Sequence, residues 1–94
     1  MYVAQVEIYS DASNAAVLRH PGRQFPGLLI QGDTLRELWR RIDALTKAVN
    51  GQVSSDISDE LVDLEDSLRG LVSHYARVLA DHGLELPFPP WDRT

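Results

Sequence analysis

The sequence predicts an α+β protein: a three-stranded antiparallel β-meander, two α-helices packed on one face of it, and a Pro-rich C-terminal tail. Three observations point there. Tyr2–Tyr9 alternates, with Ala4, Val6 and Ile8 set against Gln5 and Glu7. Two later stretches repeat apolar residues at helical spacing. Every strand signal precedes every helix signal, the order of a layered βββαα arrangement rather than of parallel βαβ units.

The first strand is read over Tyr2–Tyr9, where Ala4, Val6 and Ile8 share one face and Gln5 and Glu7 the other. Ser10-Asp11-Ala12-Ser13 supplies turn residues. A second strand is expected over Asn14–His20, in spite of its alanines, which are weak strand formers. A Pro/Gly-rich connection leads to a short third strand over Gly27–Gln31. Gly32 ends it, and Thr34 with Glu37 reads as a capping box that opens a helix over 34–50. Leu35, Leu38, Trp39, Ile42, Leu45 and Val49 form its apolar stripe, and Asn50-Gly51 stops it. The second helix, over 57–82, is the clearest element. Its stripe runs Ile57, Leu61, Leu64, Leu68, Leu71, Val72, Tyr75, Val78 and Leu79, and Gly83 closes it. The tail, 84–94, holds three prolines and is expected to be extended.

The 94 residues suit a single small domain, 1–94, with a modest core that an oligomeric partner would help to cover. There is no cysteine, which removes disulfides, thiolate nucleophiles and thiolate metal sites. That usage favours a reducing cytoplasm, and the N-terminus has neither the basic start nor the apolar run of a signal peptide. No segment has the length of a membrane helix. The net charge of −5 is uneven: residues 1–50 carry +1 and residues 51–94 carry −6. Such a chain lacks the basic face that nucleic acids require, so nucleic acid and membrane are both expected to be absent as partners.

Candidate chemistry gathers in the second connection, where Arg19, His20 and Arg23 crowd beside Phe25. A guanidinium fork suits a carboxylate or a phosphate. The plain alternative is that Arg19 pairs inside the fold with Glu7 or Asp33 and that His20-Pro21-Gly22-Arg23 is merely a turn. Asp59, Asp63 and Asp66 form an acidic patch on the second helix, open to a basic partner or simply solvated. Trp91 is an aromatic in a Pro-rich tail, either folded back or offered to a partner. His74 and His82 stand eight residues apart, too far to share a metal without help. No nucleophile sits beside a base in a recognisable motif, so no catalytic residue, metal or cofactor is assigned.

The pieces VEIYSD, RHPGR, FPG and QGDTL, the His74-Tyr75 pair and the Leu86-Pro87-Phe88-Pro89 tail are similar to those of a family of small bacterial proteins with no assigned function. That resemblance covers almost the whole chain and implies a fold without an activity. Residues Phe25–Leu45 also resemble HicB-type antitoxins, in which a proline-containing strand leads through a GDT turn into a helix. The chain departs from that family after the helix, where a second helix replaces the next strand. The resemblance implies a domain that masks a toxin.

The function expected is therefore non-enzymatic: a small acidic protein-binding module of immunity or antitoxin type, with a protein, for example a toxin, as partner. Arg19, His20, Arg23, Phe25, Asp59, Asp63, Asp66 and Trp91 are the expected contact residues. The alternatives are a structural or regulatory homodimer, or a domain that grips an anionic small ligand through the Arg19–Arg23 loop.

Overall fold

A computed structural model describes residues 1–89. Three antiparallel strands are followed by two helices, the α+β βββαα order: β1 (Glu7–Ser10), β2 (Ala16–Arg19), β3 (Gly27–Leu29), α1 (Gly32–Ala48) and α2 (Ser55–Asp81). The chain divides into two compact units, Met1–Gln31 and Gly32–Thr94. Trp91 lies outside the described residues.

In the strand unit the sheet order is β1-β2-β3. Glu7 pairs with Arg19, Ile8 with Leu18 and Ser10 with Val17, so Tyr9 is the extra residue of a β-bulge. On the other side of β2, Ala16 faces Leu29, Val17 faces Leu28 and Leu18 faces Gly27. The strands are shorter than the alternation suggests, because the central strand limits both neighbours. β2 cannot extend forward: the chain turns at His20, and Pro21 has no N–H to give a ladder. Tyr2–Val6 are thus left without residues opposite them in β2. Backward extension is blocked by local competition, since the Ser13 hydroxyl accepts from the Ala15 amide at 3.3 Å and the Ser10 hydroxyl from the Ala12 amide at 3.4 Å.

The helical unit is an antiparallel hairpin, as contacts between Gly32 and Tyr75 and between Trp39 and Glu65 show. Helix α1 begins at Gly32, two residues before the capping box read from the sequence, and that box does not form. The Thr34 amide donates instead to Asp33 Oδ1 at 2.9 Å. Glu37 turns forward along the helix, to Arg40 at 3.2 Å and Arg41 at 3.8 Å. Two cations one turn ahead outcompete a single amide behind. At the other end of α1, Gly51 adopts φ 78°, and the Gln52 amide closes the turn on the Val49 carbonyl at 2.9 Å.

Helix α2 starts two residues earlier than its apolar stripe. Ser54 is its N-cap, and its hydroxyl accepts from the Ile57 amide at 3.3 Å. Its end is a Schellman motif: Gly83 has φ 66°, its amide donates to the Ala80 carbonyl at 3.1 Å, and the Leu84 amide donates to the Leu79 carbonyl at 2.9 Å.

Trp39, Val72 and Glu65 are buried at the centre of the hairpin, and Val72 is fully enclosed. Leu35 and Ile42 on α1, Val49 just past its end, and Leu61, Leu68, Tyr75 and Leu79 on α2 are half-buried along the same line. The stripes read from the sequence are wider than this contact. Leu38, Leu45, Ile57, Leu64, Leu71 and Val78 all remain exposed. Two helices touch along one line, and residues about a quarter-turn away fall outside it.

Candidate functional site

The β1–β2 register places Glu7 opposite Arg19, and their side chains meet: Arg19 Nε lies 2.5 Å from Glu7 Oε1. The Tyr9 hydroxyl donates to the same carboxylate oxygen at 3.1 Å. Both hydrogen bonds, the arginine's first, hold the Glu7 carboxyl below the usual range, and the carboxylate raises Arg19 in return. The same guanidinium reaches forward, donating from Nη1 to the Arg23 carbonyl at 2.9 Å. Arg19 therefore fastens the end of the sheet to the loop beyond it.

Within that loop, His20 to Arg23 form a β-turn, with the Arg23 amide donating to the His20 carbonyl at 2.9 Å. Pro21 holds the second position with its fixed φ. Gly22, third, does not use the left-handed region; its amide donates to His20 Nδ1 at 3.0 Å. That bond makes Nδ1 an acceptor, so a neutral His20 carries its proton on Nε2.

Of the residues singled out in the sequence, Arg19, His20 and Arg23 are thus brought together. The first two are spent on shaping the loop. Arg23 is exposed and its guanidinium has no ion-pair partner among the described residues. Phe25, two residues on, is 74% exposed. Asp59, Asp63 and Asp66 belong to the helical unit, spaced by four and three along exposed positions of α2. Asp66 lies 3.4 Å from Arg69.

The helical unit holds two clusters that the sequence reading did not single out as such. Trp39 Nε1 donates to Glu65 Oε2 at 2.6 Å, and Arg69 grips both carboxylate oxygens of Glu65, its Nε at 2.9 Å from Oε2. Glu65 is 5% exposed, so this pairing is what makes its burial tolerable. The detectable signal was a carboxylate one heptad before Val72, on the core side of an otherwise apolar stripe. Elsewhere the Phe88 ring stacks on Tyr75 with centroids 6.4 Å apart, and the Arg36 guanidinium lies 5.1 Å above Phe88. Gly32 completes this cluster by leaving room for the Tyr75 ring. The QGDTL, His-Tyr and PFP pieces, distant in sequence, meet here.

Among the described residues no group of His, Cys, Asp and Glu could hold a metal ion. No helix of the described residues is long and apolar enough to cross a membrane.

These features define a small α+β protein with a braced polar loop on its sheet and a helical hairpin locked by a buried carboxylate. Residues 1–88 match a family of unknown function, DUF6959, and the chain belongs to that family. Neither a curated protein nor a solved structure matches it.

Proposed function

We propose that this chain is a non-enzymatic protein-binding module, an inhibitor of antitoxin or immunity type that works in the bacterial cytoplasm. One observation carries the reading: the loop from Arg19 to Phe25 is braced from within and presents Arg23 and Phe25 outward. Aromatic and arginine side chains dominate the energetics of protein interfaces, and a loop already rigid loses little freedom on binding. An anion-gripping role is less favoured, because two donors of Arg19 are committed to Glu7 and the Arg23 carbonyl. The acidic positions Asp59, Asp63 and Asp66 support a basic partner, whose approach they would accelerate. The local likeness of Phe25–Leu45 to HicB-type antitoxins points the same way.

The test is purification of the tagged chain from its native cells together with its partner, followed by expression of that partner alone. The expected result is an equimolar complex with a protein that is toxic when expressed alone. Arg23→Glu with Phe25→Ala should abolish the complex without lowering the chain's own melting temperature. Isolation of the chain with no stoichiometric partner overturns the proposal, as does a complex indifferent to that double substitution.

A further inference from the structure

Helix α2 carries an apolar stripe that α1 does not cover. Ile57, Leu64, Leu71 and Val78 recur every seven residues and remain 37–54% exposed. On α1, Leu38 and Leu45 repeat at the same interval and are exposed too. Leu38 precedes buried Trp39, Leu64 precedes buried Glu65, and Leu71 precedes buried Val72. Each is therefore about 100° from the contact line, in the same sense on both helices. In an antiparallel pair, that sense leads to the same side, so the six residues form one face of the hairpin. At the start of α2 this face opens into a groove of about 450 Å³ lined by Asp56, Ile57, Glu60, Leu61 and Leu64.

We propose that this face binds a second copy of the chain, with the two α2 helices antiparallel about a two-fold axis near Ser67 and Leu68. An evenly spaced series superposes on itself when reversed. Ile57 of one copy then meets Val78 of the other, and Leu64 meets Leu71. Charge selects this direction over the parallel one. The first half of α2 is acidic, with Asp56, Asp59, Glu60, Asp63 and Asp66 exposed; the second half carries exposed Arg69, His74 and Arg77 and one exposed acid, Asp81, at its last position. Parallel copies would stack acid on acid. Reversal brings Glu60 level with His74 of the second copy to within one residue, and Asp59 level with Arg77 farther out on the same flank. Antiparallel helices meet like flank to like flank, and all four side chains lie on the flank away from α1. The groove beside Ile57 and Glu60 then receives Val78 and His74 of the second copy, an apolar residue with a basic neighbour.

The experiment is sedimentation velocity on the full chain at micromolar concentration. The expected species has twice the chain mass, and Leu64→Glu with Leu71→Glu converts it to a monomer that keeps its helical circular dichroism. A monomeric native chain overturns the proposal, as does a dimer unmoved by the two substitutions. The chain has no cysteine, so direction is read separately by single replacements. Ile57→Cys chains mixed with Val78→Cys chains should oxidise to the mixed disulfide. Cross-linking of Ile57→Cys with itself in preference to the mixture would refute the antiparallel pairing. These conservative variants also decide the matter if the glutamate variant does not fold.

Discussion

Gly32→Ala isolates one packing constraint. Gly32 is the first residue of α1 and does not have positive φ, so its backbone suits any residue. Its constraint is space. A Cβ built there would fall under 3.0 Å from Cζ, Cε2 and the hydroxyl oxygen of Tyr75. The ring would have to move, and with it the stacking on Phe88. Forced overpacking costs about 1–3 kcal/mol. The aromatic pair contributes about 0.5–1.5 kcal/mol beyond area burial. Against these, alanine is favoured over glycine inside a helix by up to about 1 kcal/mol, and by less at the first position. The net expectation is a loss of roughly 2 kcal/mol, or about 10 °C in melting temperature for a chain of this size. Urea unfolding of the native chain, Gly32→Ala, Tyr75→Ala and the double variant closes a thermodynamic cycle. With Tyr75 removed, alanine at position 32 should cost almost nothing. An equal cost in both backgrounds, or a more stable Gly32→Ala, would refute the steric account.

Gly83→Ala provides the contrasting case. Nothing lies within 4 Å of a Cβ there, but φ is 66°, so a loss of about 1 kcal/mol is expected from backbone strain alone, independent of Tyr75. Glu65→Ala strips the acceptor from Trp39 and the partner from Arg69; denaturant melts should show a loss of about 2–3 kcal/mol, and Glu65→Gln, which keeps an acceptor, should lose less. Ser54→Ala removes the α2 N-cap and should cost about 1 kcal/mol in the same assay. Because the Glu7 carboxyl is held low by Arg19, its contribution to stability is present above the unfolded-state value and fades as pH falls through the folded one. A carboxyl titration by NMR should place Glu7 below the ordinary carboxylate value, and Arg19→Gln should bring it back up; a Glu7 that titrates at the ordinary value and does not respond to Arg19→Gln would contradict the pairing.

Much of the strand unit's site was readable along the chain. Pro21-Gly22 marked a turn, and Glu7 was one of two candidate partners for Arg19. Deciding between Glu7 and Asp33 required the register, because a one-residue slip would send Arg19 to the other face of the sheet. The role of His20 as an acceptor from Gly22 was not readable, since composition does not reveal which ring nitrogen a turn will use.

In the helical unit, periodicity located both helices and Asn50-Gly51 and Gly83 marked their ends. The starts were missed by two residues each, for different reasons. Ser54 caps from outside the apolar stripe, and Thr34 yields to a helix that begins where Gly32 meets Tyr75.

By itself, then, the sequence determined the order βββαα, the turn at His20–Arg23, the two glycine helix stops and the apolar character of both helices. Those properties depend on local backbone preference and on spacing, which act over a few residues. Only the tertiary structure decided which part of each apolar stripe is covered, that Glu65 is paired inside the hairpin with Trp39 and Arg69, and that Phe88 returns to Tyr75 and Arg36. The Trp39–Glu65 and Phe88 contacts join residues ten or more positions apart, and the cover of each stripe depends on how far around a helix its neighbour reaches; Arg69, one turn from Glu65, is drawn in with that buried carboxylate. Contact of that kind depends on rotation and register between elements, and a linear pattern does not encode them.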